Sequence, residues 1–158
     1  MIKEQFNFNE VLEMAKDIEV RGREFYSSHA ERTDNDRARK LFQRLASDED
    51  DHYERFVEIQ QEFQNKTGRS DDYIADSRVD AYLEALVEFT VFPAADEIGE
   101  LDDLKSILDT AIRAEKDSIL LYSGMKEQNE GETEKVIQKL IDEEKSHLVD
   151  LLKFDAEL

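Results

Sequence analysis

Leu45-Ala46-Ser47-Asp48-Glu49-Asp50-Asp51-His52 is the stretch that decides how this chain reads. Glu49 and His52 stand three residues apart, so on a helix a carboxylate and an imidazole share one face, one turn from each other. The device recurs in Leu140-Ile141-Asp142-Glu143-Glu144-Lys145-Ser146-His147, where Glu144 and His147 lie 95 positions after Glu49 and His52. Upstream of each lies a Glu and a Tyr seven residues apart, Glu19 with Tyr26 and Glu115 with Tyr122. One Glu-x-x-His means little where 40 of 158 residues are acidic, since any His then has about that chance of an acid three places back. Two such pairs, each in register with a Glu and a Tyr, mean more.

Working outward, the apolar spacing predicts a first helix from a cap near Asn7 to Asn9 to about Glu31, with Leu12, Ala15, Ile18, Phe25 and Tyr26 on one stripe. Glu19 falls inside that stripe rather than opposite it. Thr33-Asp34-Asn35-Asp36 supplies a turn, with Asp34 or Asn35 capping a second helix that reaches about Asn65. Its stripe of Ala38, Phe42, Leu45, Phe56 and Ile59 contains Glu49 and His52. A third helix over about 100–128 carries Leu108, Ala111, Glu115 and Tyr122 on one face. Glu130-Gly131 turns the chain, Gly131 being free to take a left-handed conformation, into a fourth helix from about Glu132 to Phe154. Between the two pairs, about 66–99 is too long for a hairpin turn. It reads as a crossover with a short helix from Ser77 to Phe92, ended by Pro93, which leaves helices two and three parallel.

Subtraction exposes the repeat. Leu12, Ala15, Glu19 and Tyr26 map onto Leu108, Ala111, Glu115 and Tyr122 at an offset of 96, while Glu49 and His52 map onto Glu144 and His147 at 95. The fold expected is all-α: one domain over 1–158, a ferritin-like four-helix bundle of two pseudo-twofold-related hairpins (about 8–65 and 100–154). Four Glu and two His then converge at its centre.

Composition narrows the functions. With 21 basic against 40 acidic residues the net charge is −19, which repels nucleic acid and anionic membrane surfaces and attracts cations. The absence of cysteine excludes disulfides, zinc fingers, thiolate-held iron–sulfur centres and a Cys nucleophile within this chain. No apolar run approaches the roughly 20 residues that span a bilayer, and Met1-Ile2-Lys3-Glu4 lacks the apolar stretch of a signal peptide. A soluble cytoplasmic protein is the expectation. Burying four carboxylates together without cations costs several kcal/mol per ion unless protons are taken up, so a purely structural bundle would have used Leu at these positions. Two divalent ions balance four carboxylates. Hard oxygens with two imidazoles suit iron first, then manganese; zinc could bind but not cycle.

From about Glu10 to Leu152 the pattern closely resembles the ferritin-like di-iron carboxylate proteins, and within them the rubrerythrin-like branch. The resemblance implies metal ligation by Glu19, Glu49, His52, Glu115, Glu144 and His147, the same six serving catalysis, with Glu49 and Glu144 bridging. It also implies that the acid before each motif orients the opposite imidazole, Asp48 with His147 and Glu143 with His52. Two departures stand out. These residues contain no cysteines from which a rubredoxin-type iron–sulfur tail could be built, and the seventh carboxylate of rubrerythrin peroxidases, one turn after the helix-three Glu, is replaced by Ser118. Tyr26 and Tyr122 are expected to hydrogen-bond carboxylates from the opposite hairpin. The small Gly22 and Ser118, equivalent in the two halves, are expected to leave room for dioxygen or peroxide. His29, near a helix end without an acid three places back, reads as a surface residue. The acidic run 48–51 reads chiefly as a solvated face. The function expected is a di-iron oxidoreductase that reduces peroxide or dioxygen with electrons from an external donor protein, as a homodimer. Ferroxidase or iron-storage activity, and a metal-dependent structural or regulatory module, are the alternatives.

Overall fold

The computed structural model describes residues 8–67, 92, 103–127 and 129–158. Four helices make up the described part: α1 (Phe8–Arg32), α2 (Asp36–Thr67), α3 (Leu104–Glu127) and α4 (Gly131–Ala156). No strand occurs among the described residues.

The helix starts follow local chemistry. Asn35, rather than Asp34, caps α2: its Oδ1 accepts the Ala38 N–H at 2.9 Å. Asp103 does the same for α3, accepting from the Ser106 N–H at 2.8 Å and the Ser106 hydroxyl at 2.9 Å. That cap sets the start of α3 at Leu104, later than the apolar spacing alone predicts. Gly131 opens α4 with φ +68°, a left-handed conformation that costs a residue with a Cβ about 1–2 kcal/mol. The turn reading of Glu130-Gly131 therefore holds, and α4 runs two residues past Phe154 to Ala156.

Cross-helix bonds fix the directions. Lys16 reaches Gln60 and Arg23 reaches Asp50, both at 3.1 Å, so α1 and α2 are antiparallel. Lys105 with Asp155 and Lys126 with Gln138 show the same for α3 and α4. Tyr26 with Glu115 and Tyr122 with Glu19 set α1 antiparallel to α3, and Arg44 with Asp150 and Arg55 with Glu143 set α2 antiparallel to α4. It follows that α2 and α3 run parallel, as a crossover requires. Apart from Phe92, the expected crossover helix at 77–92 lies outside the described residues.

The core obeys the repeat. Leu12 and Leu108, Ala15 and Ala111, Phe25 and Leu121, and Tyr26 and Tyr122 are buried in pairs 96 apart; Phe42 and Ile137, Leu45 and Leu140, and Phe56 and Leu151 are buried in pairs 95 apart. Each fully buried Leu or Phe contributes roughly 1.5–3 kcal/mol. His29 departs from expectation: it is 1% exposed, its ring 4.6 Å from that of Phe25 and 6.5 Å from that of Phe42. The physical reason is helical spacing, because position 29 is one turn past both Phe25 and Tyr26 and so continues their stripe. Its equivalent 96 residues on, Met125, is buried too, a sign that the repeat already held. No helix among the described residues is long and apolar enough to cross a membrane.

Candidate metal centre

Glu19 comes from α1, Glu49 and His52 from α2, Glu115 from α3, and Glu144 and His147 from α4; all six are buried. Their donor atoms form two groups, Glu19, Glu49, His52 and Glu144 in one and Glu49, Glu115, Glu144 and His147 in the other, each within 4.8 Å. Glu49 and Glu144 belong to both groups, while Glu19 and Glu115 each belong to one. The six residues singled out in the sequence thus meet at one place.

The arrangement is unfinished as a protein-only cluster. Glu19 Oε2, Glu49 Oε1, Glu115 Oε2, Glu144 Oε2 and His147 Nδ1 are buried without a hydrogen-bond partner. Leaving such atoms unsatisfied costs about 1–3 kcal/mol each, more when charged. Five orphaned donors facing one another, all oxygen or imidazole nitrogen, fit a pair of divalent cations.

Without cations, protons neutralise the cluster. Burial, then the charges of Glu144, Glu19 and Glu115, push the Glu49 carboxyl well above the usual range. Burial and Glu144 push Glu115 up to about 8. Burial also opposes charge on Glu144, but hydrogen bonds from Glu115, His147 and His52 hold its carboxyl below the usual range. For His52, burial disfavours the cation, yet Glu144 and Glu19 raise it to about 11; for His147, Glu115 and Glu144 do the same against burial, again to about 11. His52 Nδ1 lies 2.8 Å from Glu144 Oε1 and 3.5 Å from Glu19 Oε2. His147 Nδ1 lies 3.4 Å from Glu49 Oε1 and from Glu144 Oε2. Both Nδ1 atoms therefore face the carboxylates, and metal loading has to expel protons from them.

The surroundings hold these groups in place. Tyr26 donates to Glu115 Oε1 at 2.6 Å and Tyr122 to Glu19 Oε1 at 2.5 Å, each across to the opposite hairpin. Burial, followed by the neighbouring carboxylates, keeps both phenols well above their ordinary range, so they remain neutral donors. On the far side of the imidazoles, His52 Nε2 meets Glu143 Oε2 at 2.8 Å and His147 Nε2 meets Asp48 Oδ2 at 3.0 Å. The two rings stack with centroids 5.4 Å apart. Their Nε2 edges border an opening of about 210 Å³ between α2 and α4, whose rim includes Arg44, Asp51, Arg55 and Asp150.

Gly22 needs a correction. A Cβ there would stand 3.0 Å from the Phe92 ring and 3.1 Å from Glu49 Oε2, so the residue is small because two side chains press on it, not because space is left for an oxidant. Phe92, fully buried against Phe25 and Tyr26, is a residue the sequence reading missed. Its position at the end of an apolar segment gave no sign of what it would touch. Ser118, the equivalent of Gly22, is also buried.

Comparison with known proteins agrees with this geometry. The family model described as Rubrerythrin matches residues 10–155. A crystal structure from Thermotoga maritima, of a protein provisionally assigned as a ferritin-like diiron-carboxylate protein, is 33% identical, covers 99% of each chain and superposes with a TM-score of 0.80. A search of curated proteins gave no match. The family model covers nearly the whole chain, so the chain belongs to the rubrerythrin family, and the structural relative agrees with its ferritin-like fold.

Proposed function

We propose that this protein is a non-haem di-iron oxidoreductase that reduces peroxide or dioxygen, with electrons delivered by a separate donor protein. The observation that carries the reading is the pair of buried donor groups sharing Glu49 and Glu144, with five donor atoms left unpartnered. Glu19, Glu49, His52 and Glu144 would hold one ion, and Glu49, Glu115, Glu144 and His147 the other. When bound, a pair of redox-active ions supplies electrons and Lewis acidity to an oxygen species. Iron suits the donor set and the redox role; manganese is the next candidate and zinc cannot take that role.

The chain's own residues do the rest. Tyr26 and Tyr122 orient the Glu115 and Glu19 carboxylates, Asp48 and Glu143 orient the imidazoles, and the surrounding Leu and Phe side chains exclude bulk water. The sequence has no cysteine for a thiolate-held iron–sulfur centre, and the reading therefore takes the electrons from a separate donor protein.

Ser118 shapes the choice of oxidant. A serine hydroxyl is too short and too weak a ligand to replace the exchanging carboxylate found in rubrerythrin peroxidases. The six residues should then hold both ions in fixed positions, and peroxide should lose its kinetic advantage over dioxygen. The test is anaerobic Fe(II) loading with elemental analysis, followed by stopped-flow mixing with peroxide and with dioxygen separately. About two irons per chain, with comparable oxidation by the two oxidants, is expected, and Ser118→Glu should shift the ratio toward peroxide. Loaded protein inert to both oxidants would sink the oxidoreductase reading. Wild-type oxidation orders of magnitude faster with peroxide would sink the role given to Ser118.

A further inference from the structure

The pseudo-twofold symmetry fails on the outer side of the two imidazoles, and always in one direction. Glu143, which meets His52 Nε2, also accepts a hydrogen bond from Arg55 Nη1 at 2.7 Å on the same Oε2. Asp48, which meets His147 Nε2 at 3.0 Å, has no guanidinium bonded to it among the described residues. The position equivalent to Arg55, 95 residues on, is an acid, Asp150, and it is taken up by Arg44 Nη2 at 2.8 Å. Asp51, on the rim of the same opening as Asp48, has the neutral Ser146 as its equivalent beside Glu143. Arg44, four residues before Asp48, lines the same opening, but its guanidinium is bonded to Asp150 and not to Asp48; its equivalent Lys139 is not among the residues that line the opening.

The consequence lies in donor strength. An imidazole that gives its far N–H to a carboxylate becomes a stronger metal ligand, and outer partners of this kind alter metal affinity by about 10–100-fold. A carboxylate already bonded to a guanidinium has part of its charge satisfied and pulls less on the imidazole proton. Glu143 is compensated in this way by the Arg55 guanidinium on the same oxygen that meets His52. Asp48, flanked by Asp51, retains its full pull on His147.

We propose that Arg55, acting through Glu143, makes the two metal positions unequal, so that the Glu49, Glu115, Glu144 and His147 position binds a divalent cation first and more tightly. Arg55 is a positioning residue here, since it touches His52's partner and not the metal. The inference rests on the two-metal reading but concerns only the order and affinity of loading.

Anaerobic titration with Mn(II), following free ion by its electron paramagnetic resonance signal, tests it without any turnover. Wild type should bind in two steps separated by about 10-fold or more. Arg55→Leu should bring the steps to within about 3-fold by strengthening the weaker one. Asp150→Arg, which offers Asp48 the guanidinium that it lacks, should narrow the gap by weakening the tighter one. Glu115→Ala should remove the tight step and Glu19→Ala the weak one. Two equal steps in the wild type, or unequal steps unmoved by both Arg55→Leu and Asp150→Arg, would overturn the inference while leaving the two-metal reading intact. No Mn(II) binding at all by folded protein would overturn both.

Discussion

Set side by side, hairpin α1–α2 and hairpin α3–α4 agree wherever a side chain points into the cluster and diverge one layer out. Glu19, Tyr26, Glu49 and His52 have Glu115, Tyr122, Glu144 and His147 as their counterparts. Around them Gly22 faces Ser118, His29 faces Met125, Asp51 faces Ser146 and Arg55 faces Asp150. The inner groups are tied together by charge balance: replacing one carboxylate leaves the cations of a shared site undercompensated. The outer groups are free to differ because none of them belongs to either donor group. A doubled hairpin can thus keep a symmetric metal cage while acquiring unequal surroundings.

The comparison breaks most visibly at the shared carboxylates. Glu49→Ala or Glu144→Ala should remove both ions and the whole metal-dependent rise in stability, which is about 4 kcal/mol per ion at a thousandfold excess of free ion over Kd. Glu19→Ala and Glu115→Ala, each in a single donor group, should each remove one ion and part of that rise. Metal counts with thermal melts of loaded and stripped protein read this directly. Equal losses for all four variants would mean that Glu49 and Glu144 are not shared.

His29 gives the next effect. Burial, with a smaller push from Arg32, lowers it to about 4, against an ordinary value of 6.5. The unfolded chain therefore takes up a proton first, so the associated stability is complete above about pH 6.5 and is lost as the pH falls toward 4. The loss amounts to up to about 3 kcal/mol. His29→Met, which copies Met125, should flatten this acid limb and leave neutral-pH stability unharmed. Urea unfolding at pH 7 and pH 4.5 on both proteins measures the difference. An unchanged acid limb would show that other groups cause it.

Gly22 and Ser118 separate the halves by a smaller amount. Gly22→Ala forces the Phe92 ring or the Glu49 carboxylate to give way at a cost of about 1–3 kcal/mol, offset by about 1 kcal/mol of helix propensity, and should be net destabilising, whereas Ser118→Ala should cost under about 1 kcal/mol. Denaturant midpoints suffice to compare them.

How much of this was legible follows from the same division. Glu49, His52, Glu144 and His147 could be read because two local motifs recur at one offset, and Glu19 and Glu115 because they sit in apolar stripes where charge is costly. Tyr26 and Tyr122 followed from the register. The helix-end position of His29 suggests solvent, but its spacing and the offset to the buried Met125 point inward, and burial follows the spacing. Phe92 at Gly22 was illegible, since a contact made by a distant segment leaves no periodic trace. The break in the repeat at Arg55 and Asp150 is visible in the sequence, but that Arg55 bonds Glu143 while Arg44 bonds Asp150 depends on which rotamer reaches which oxygen.

The central claim is that a cluster of six residues from two repeated hairpins, which holds protons on His52, His147 and Glu115 when metal-free, exchanges protons for two cations. Anaerobic Fe(II) titration of stripped protein in weak buffer at pH 7, recording bound iron and released protons together, tests it most directly. His52 and His147 at about 11 and Glu115 at about 8 all carry protons at that pH, and burial raises the Glu49 carboxyl as well, so two irons should bind per chain with release of about three protons or more. One iron or fewer, or two irons taken up with no proton release, would contradict the account.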